Sequence, residues 1–410
     1  MSQEKDVRNF LLGISENSKI YFVGSTTKNA LKYTVGEEMV FKIRVKADGE
    51  FLEIPYVYYT LEGDDGEKSC GYEKCADDGW FYINTSLKKE GFVHLIAKAC
   101  DDEKNVIDGI DIFEGGAGAD VERLTCGTDV PEDYFDFWNS LKEKIFETAP
   151  EVIYKKEIER ADHPDYVFYD MRIKTASDMY VSFIAVYPKN AEKGSLKLCM
   201  IYRGYGVNAY SEYGPLEGTL AVWVNAHSIP NFETDKFYEK LRENELKDYG
   251  FDNTENQKPE TTYWSKMFMR DLQAFRFFKD NPLINKKDYI FRGGSQGAMQ
   301  ACNMALHSGV ATECELDVPW FADLGGTKKF GRLYGWRPDY ADGLRYFDTA
   351  VAAKYLKCPV TIIAGLGDYV CPPSGEMAMY NGITAPKKIE FIQNQTHPYR
   401  PVEKTTYTLG

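Results

Sequence analysis

The stretch from Tyr289 to His307 constrains the fold of this chain more than any other. Tyr289-Ile290-Phe291-Arg292 reads as a short strand, Gly293-Gly294-Ser295-Gln296-Gly297 as a turn, and Ala298 to His307 as a helix. Glycines around Ser295 let the chain pass from strand to helix in one sharp bend. That bend lifts the serine hydroxyl above a sheet and places it at a helix N-terminus, which favours developing negative charge. A Gly-x-Ser-x-Gly run by itself is an ordinary glycine-rich turn. Between a strand and a helix it marks a nucleophilic serine and commits the surrounding chain to an α/β architecture.

The neighbouring sequence alternates accordingly. Strand-length runs at 166–173, 181–187, 196–202, 220–224, 289–292 and 359–364 are interspersed with helical stretches at 263–279 and 296–307, which predicts a mainly parallel sheet with helices on both faces. A further helix opens at Asp129-Val130-Pro131-Glu132-Asp133, with Phe135, Trp138, Leu141 and Ile145 recurring at helical spacing. Residues 33–113 read differently. Val40 to Val45 and Tyr56 to Leu61 are short β-type runs, divided by turn clusters such as Gly63-Asp64-Asp65-Gly66 and Asp77-Asp78-Gly79. They predict an immunoglobulin-like β-sandwich, with residues 91–97 as one of its last core strands and His94 as a packed or surface strand residue. The glycine-rich Glu114-Gly115-Gly116-Ala117-Gly118 reads as a boundary. Two domains are expected: residues 1–118 as the sandwich, supplying no catalytic group, and residues 119–410 as the catalytic α/β domain.

A serine hydroxyl is a weak nucleophile, so the reading requires a base to take its proton and an acid to orient that base. The chain has five histidines. His307 ends the helix after the bend, His94 belongs to the first domain, and His163 precedes a proline in a polar loop. Of His227 and His397, the order Ser, acid, His that goes with this bend selects His397 as base. The acid belongs after a late strand, where active-site groups of open α/β sheets gather. Asp368 follows the run Pro359 to Ala364 through Gly365-Leu366-Gly367. Asp348 reads as a helix cap, and Asp317 and Asp323 lie too near the bend. For the oxyanion, one donor is the backbone N–H of Gln296 and the second is expected from Tyr205, in the glycine-flanked turn Arg203-Gly204-Tyr205-Gly206. These elements together predict an α/β-hydrolase fold carrying the triad Ser295, Asp368 and His397.

Composition narrows the partners. With 63 acidic and 49 basic side chains, the net charge of −14 repels a phosphate backbone or an anionic membrane, leaving a small neutral partner. The most apolar runs, such as 198–202 and 359–366, fall well short of the roughly 20 residues of a membrane helix. Met1 to Asp6 has no basic segment leading into an apolar stretch, so the chain reads as cytoplasmic. The nine cysteines have no repeated spacing and read as free thiols. Cys70 and Cys75 form the one close pair, but no second pair completes a zinc set, so neither a metal nor another cofactor is expected.

Several segments resemble the acetyl xylan esterase and cephalosporin C deacetylase family, the seventh family of carbohydrate esterases. They are Pro131 to Trp138, Arg203-Gly204-Tyr205, Gly293 to Gly297, Val318-Pro319-Trp320-Phe321, Tyr346-Phe347-Asp348 and, most specifically, Gly365-Leu366-Gly367-Asp368-Tyr369-Val370-Cys371-Pro372-Pro373-Ser374. The resemblance implies deacetylation of small acetylated carbohydrates by Ser295, Asp368 and His397, with Tyr205 and Gln296 at the oxyanion, and a homo-oligomer, often a hexamer. Three features depart from the family. Asn225-Ala226-His227-Ser228-Ile229-Pro230 stands where Arg-Gly-Gln-Gly would be, Pro398 replaces the usual Glu, and the chain reaches Gly410 without the family's final helix. Two other readings compete: a serine peptidase of the prolyl oligopeptidase type, and a carbohydrate-binding relative with little turnover.

Overall fold

The computed structural model describes residues 19–176, 179–210 and 213–410, so the N-terminal Met1 to Asp6 lies outside the described residues. Eight strands come first: β1 (Ile20–Thr26), β2 (Met39–Ala47), β3 (Glu50–Leu52), β4 (Tyr56–Gly63), β5 (Lys68–Lys74), β6 (Phe81–Thr85), β7 (Gly91–Cys100) and β8 (Phe113–Ala119). Strand β2 pairs antiparallel with β1, β3 and β6, and β5-β4-β7-β8 form a second antiparallel sheet. Strict alternation decides which face turns inward: Met39, Phe41, Ile43 and Val45 of β2 are buried, while Lys42, Arg44 and Lys46 between them keep contact with water. The glycine-rich run read as a boundary is itself a strand. β8 pairs with β7 along its whole length and is buried throughout.

The second part is built on a ten-stranded sheet. Its strands are β9 (Val152–Glu157), β10 (Tyr166–Lys174), β11 (Tyr180–Pro188), β12 (Leu196–Tyr202), β13 (Thr219–Val224), β14 (Ile284–Gly294), β15 (Glu313–Asp317), β16 (Val360–Gly365), β17 (Lys387–Ile392) and β18 (Thr406–Leu409). They lie in the order β18-β17-β16-β15-β14-β12-β13-β11-β10-β9. The neighbours from β17 through β13 pair parallel; β11, β10, β9 and, at the other edge, β18 join antiparallel. The chain therefore leaves β12 for β13 on one side and returns to β14 on the other. That reversal opens a crevice at the C-terminal ends of β12 and β14, the place where open α/β sheets hold their ligands.

The four longest helices of the described residues are α1 (Tyr134–Phe146), α2 (Tyr263–Phe278), α3 (Gln296–Ser308) and α4 (Pro373–Gly382). In α1 the buried stripe runs through Tyr134, Trp138, Leu141 and Ile145 with Phe137 beside it, whereas Phe135, expected in the stripe, is 45% exposed. One residue is about 100° of helix, so Tyr134 and Phe135 cannot share a face. Helix α2 is buried on almost every side and begins at Thr262, whose hydroxyl accepts from the Ser265 N–H at 3.1 Å. Buried side chains of both parts join in one continuous apolar cluster, with Phe92 of β7 packed on Phe391 of β17 at 5.7 Å between ring centroids. Among the described residues no helix is long and apolar enough to cross a membrane.

Candidate active site

Between β14 and α3 the chain turns within Gly293 to Gly297, and Ser295 takes φ 55° and ψ −121°, a strained conformation for a residue with a side chain. Two of the glycines are required by contact. A Cβ on Gly293 would overlap the Gly297 carbonyl, and one on Gly297 would overlap the Tyr202 carbonyl at the end of β12. The Ser295 N–H donates to the Asp317 carbonyl at 2.9 Å, and its own carbonyl accepts from the Trp320 N–H at 3.2 Å, which ties the bend to the end of β15.

The three candidate catalytic side chains converge there from different strand ends. His397, in the loop after β17, places Nε2 2.9 Å from the Ser295 hydroxyl and Nδ1 2.8 Å from Asp368 Oδ2. Asp368, in the loop after β16, is fully buried, and its other oxygen accepts from the N–H groups of Val370 (3.0 Å) and Cys371 (2.8 Å). A carboxylate fixed in this way accepts the Nδ1 proton, leaving the Nε2 lone pair for the serine. Burial alone would lower the pKa of His397; the charge of Asp368 and the bond to it outweigh burial and raise it above the ordinary value. Arg400 and Asp317, 3.1 Å apart, form an ion pair toward solvent.

Opposite the histidine, the loop after β12 comes close to the bend, with the position of a Cβ on Gly204 3.6 Å from Ser295 Cβ. Among the described residues, the N–H groups of Tyr205 and Gln296 have no backbone carbonyl partner in the loops and turns. Tyr249, which the sequence did not single out, fixes both. Its ring stacks on Tyr205 at 4.0 Å, its hydroxyl donates to Gln296 Oε1 at 2.7 Å, and it accepts from the Gly206 N–H at 3.0 Å. His227 supports the same loop from behind, with Nε2 3.0 Å from the Gly206 carbonyl and Nδ1 2.5 Å from the Tyr263 hydroxyl. Burial first, and then the Arg270 charge, lower its pKa to about 3, so it is a neutral structural imidazole. The segment 225–230, where the family motif is missing, thus has a local task in this chain. No spacing in the sequence signals it, because Tyr249 and His227 reach the loop only through the tertiary fold.

The remaining candidates lie elsewhere. His307 stacks on Trp138 at 3.8 Å, and His163 lies beside Asp162 at 3.6 Å. Asp348 caps the turn after it, accepting from the Ala350 N–H at 2.8 Å, and Asp323 pairs with Arg332 at 2.6 Å. Asp368, Cys371 and His397 bring three ligand-type atoms within 4.8 Å of one another. Burial pushes the Cys371 thiol well up, so it stays protonated and is a poor metal ligand. Cys70 and Cys75 belong to no metal-ligand group among the described residues. A cleft of about 360 Å³, bordered by Arg203, Gly204, Asn208, Tyr210, Trp223 and Gly294, adjoins the bend. A larger one, about 470 Å³, lies among the N-terminal strands far from Ser295 in sequence, and its charged lining includes the mutual pair Lys88 and Glu67 at 2.7 Å. On the other side of Tyr205, Trp336 is 44% exposed, meets the Tyr205 ring edge-on at 4.8 Å and stacks on Trp320 at 5.5 Å.

Comparison with known proteins bears on the same residues. Residues 339–408, which contain Asp368 and His397, match the model of the family described as acetyl xylan esterase (AXE1). The acetyl esterase Axe7A of Xylanibacter ruminicola is 24% identical over 342 residues, covering 79% of this chain and 74% of that protein. Among solved structures, the acetyl xylan esterase from Paenibacillus sp. R4 superposes with a TM-score of 0.55 at 17% identity, covering 68% of this chain and 93% of that one. Acetyl xylan esterase 1 from Thermoanaerobacterium sp. JW/SL YS485 gives 0.53 at 18%, covering 69% and 93%. The structural likeness carries the fold: this chain has the α/β-hydrolase fold of these esterases, and its sequence is similar to that of an acetyl esterase over most of its length.

Proposed function

We propose that the chain is a serine esterase that removes acetyl groups from acetylated sugars, with Ser295 as nucleophile, His397 as general base and then acid, and Asp368 as the group that orients and charge-balances the histidine. The observation that carries this reading is the unbroken hydrogen-bond chain from Ser295 through His397 to Asp368, at 2.9 and 2.8 Å, in a chain similar to an acetyl esterase. His397 takes the serine proton as Oγ attacks the acetyl carbonyl. The N–H groups of Tyr205 and Gln296 receive the oxyanion, each such donor contributing on the order of 3 kcal/mol to the transition state. As the ester C–O bond breaks, leaving acetyl on Ser295, His397 returns the proton to the departing sugar oxygen, and water, activated by the same imidazole, then releases acetate from the serine. A neutral sugar ester also suits a chain with net charge −14, and the 360 Å³ cleft falls within the usual ligand-pocket range.

The architecture is read in the same way: the N-terminal strands as an immunoglobulin-like sandwich, residues 1–118, attached to a catalytic domain, residues 119–410, whose sheet is mainly parallel. Two antiparallel four-stranded sheets, β1-β2-β3 with β6 also on β2 and β5-β4-β7-β8, support that reading. The decisive experiment measures acetate release from acetylated xylo-oligosaccharides, peracetylated monosaccharides and cephalosporin C. Release from at least one is expected. Cleavage of prolyl amides with no acetate from any of the panel would replace the esterase reading by the peptidase one. Absence of turnover together with absence of fluorophosphonate labelling at Ser295 would leave a binding protein.

A further inference from the structure

The second N-terminal sheet reaches the acid loop of the candidate active site. On β7 the His94 imidazole lies flat against the ring of Tyr369, with centroids 3.6 Å apart and planes inclined by 15°. Tyr369 is the residue immediately after Asp368. Glu114 of β8 holds the edge of the same imidazole, Oε1 2.8 Å from Nε2, and both side chains are largely withdrawn from water.

Strand β8 also grips the loop that leads to His397. The Gln393 side-chain amide exchanges two hydrogen bonds with the Gly116 backbone, each 2.9 Å, and Asn394 Oδ1 accepts from the Glu114 N–H at 2.9 Å. The Gly367 N–H in turn donates to the Gln395 carbonyl at 3.0 Å, joining the acid loop to the base loop. Where β8 meets the acid loop there is no room for a Cβ. A Cβ on Gly116 would stand 2.7 Å from the Leu366 carbonyl oxygen, and one on Gly367 would overlap the carbonyl of Glu114. Gly116 of β8 is thus accounted for by close backbone approach to the acid loop, while a Cβ on Gly115 would overlap the Gln393 side chain.

We propose that His94 and Glu114 are positioning residues for the esterase reaction: acting through Tyr369, they fix Asp368 against His397, so that the N-terminal sheets are a working part of the active site. The proposal rests on the esterase reading above. Its physical reason is that Asp368 is oriented by the N–H groups of Val370 and Cys371, the two residues that follow Tyr369 in the same short loop. A shift of that loop moves the carboxylate, and a misplacement of about 1 Å remote from the chemistry can lower a rate roughly 100-fold.

The test uses the full chain, with p-nitrophenyl acetate as substrate and circular dichroism to check folding. His94→Ala is expected to lower kcat about 10- to 100-fold with KM within about twofold of the parent. The acid limb of the kcat/KM profile should also move to lower pH. Asp368 raises the pKa of His397, and loosening that contact lets it fall, while Arg400, Asp317 and Glu376, the other charged or titratable neighbours, remain in place. His94 itself faces Glu114, Tyr369 and, across the strand pair, Glu62. His94→Phe, which keeps a flat ring on Tyr369, should restore kcat to within about threefold of the parent.

A folded His94→Ala protein with parental kcat and an unmoved acid limb would overturn the proposal. So would a kcat loss that follows only the unfolded fraction. If His94→Ala does not fold, Glu114→Ala serves instead: a smaller kcat loss with the same shift of the limb supports the proposal, and an unchanged profile ends it. Lack of any ester turnover by the parent chain is a separate outcome, which removes the esterase reading itself.

Discussion

Ser295 can attack an ester only if a neutral imidazole stands ready to take its proton. Ser295→Ala and His397→Ala are each expected to lower kcat on the order of 10⁴-fold or more, and the double variant should lose little beyond either single one, because the groups act as a unit. Near-parental turnover in either single variant would show that the 2.9 Å contact between them is not the catalytic one. The pH profile gives a second reading. Asp368 holds the pKa of His397 above its ordinary value, so kcat/KM should rise with pH through a midpoint above about 6.5. Asp368→Asn should reduce the rate severely and bring that midpoint down, since the charge that raised it is gone. A slow variant with an unmoved midpoint would separate Asp368 from the histidine. At Tyr205 the main chain is expected to matter more than the hydroxyl. Tyr205→Phe loses a 3.1 Å bond to the Tyr249 carbonyl, costing about 0.5 to 1.5 kcal/mol of stability with kcat nearly kept. Tyr205→Pro removes the candidate oxyanion donor and should raise the barrier by at least about 2.7 kcal/mol. A folded proline variant with parental kcat would move the second donor to a neighbouring glycine.

The elements meet at the bend with almost no free space. Helix α3 starts directly at Gln296, and its second residue, Gly297, lies against the carbonyl of Tyr202 at the end of β12. Gly297→Ala is therefore expected to destabilise the protein by about 1 to 3 kcal/mol or more and to lower kcat at the same time, because the clash falls within the candidate site. Urea unfolding and p-nitrophenyl acetate turnover would both register it, and a variant as stable as the parent would mean that β12 and α3 can separate freely. Tyr249 links two other elements: its hydroxyl joins Gln296 at the head of α3 to Gly206 in the loop after β12. Tyr249→Phe leaves a buried amide oxygen and a backbone N–H without that partner, at a cost of about 1 to 3 kcal/mol. A fall in kcat larger than any change in KM is expected, since both candidate oxyanion donors depend on that joint.

At the scale of the whole molecule, the N-terminal sheets and the large sheet share one apolar cluster and a seam of hydrogen bonds. Lys46 and Glu403, 2.7 Å apart at the surface, and the Leu333 N–H donating to the buried Asp64 at 2.8 Å extend the seam. A chain beginning at Ala119 would uncover Phe391 and Leu366 and release Gln393 and Asn394 from their partners. It is expected to be poorly soluble or, where folded, at least about 100-fold slower on p-nitrophenyl acetate than the full chain. Parental turnover in such a shortened chain would show that the large sheet orients Asp368 and His397 without help.

The sequence by itself determined the local chemistry. A strand, a glycine-bounded serine and a helix can meet only as a sharp bend, and the chain order beyond it left Asp368 and His397 as the residues able to serve Ser295, which the structure brings within hydrogen-bond reach. Alternation and helical spacing likewise marked β2, β4 and α1, because a residue's period along the chain decides which face it presents. Tertiary structure decided what depends on approach between distant segments. Tyr249 and His227 hold the candidate oxyanion loop across gaps of 43 and 21 residues, and no local period records such contacts. The glycines of β8 look like a linker in sequence, since a missing side chain suits a flexible turn and a tight seam equally well. Only the carbonyls of Leu366 and Glu114, brought against Gly116 and Gly367 by the folded chain, show that this run is a buried strand behind the candidate acid.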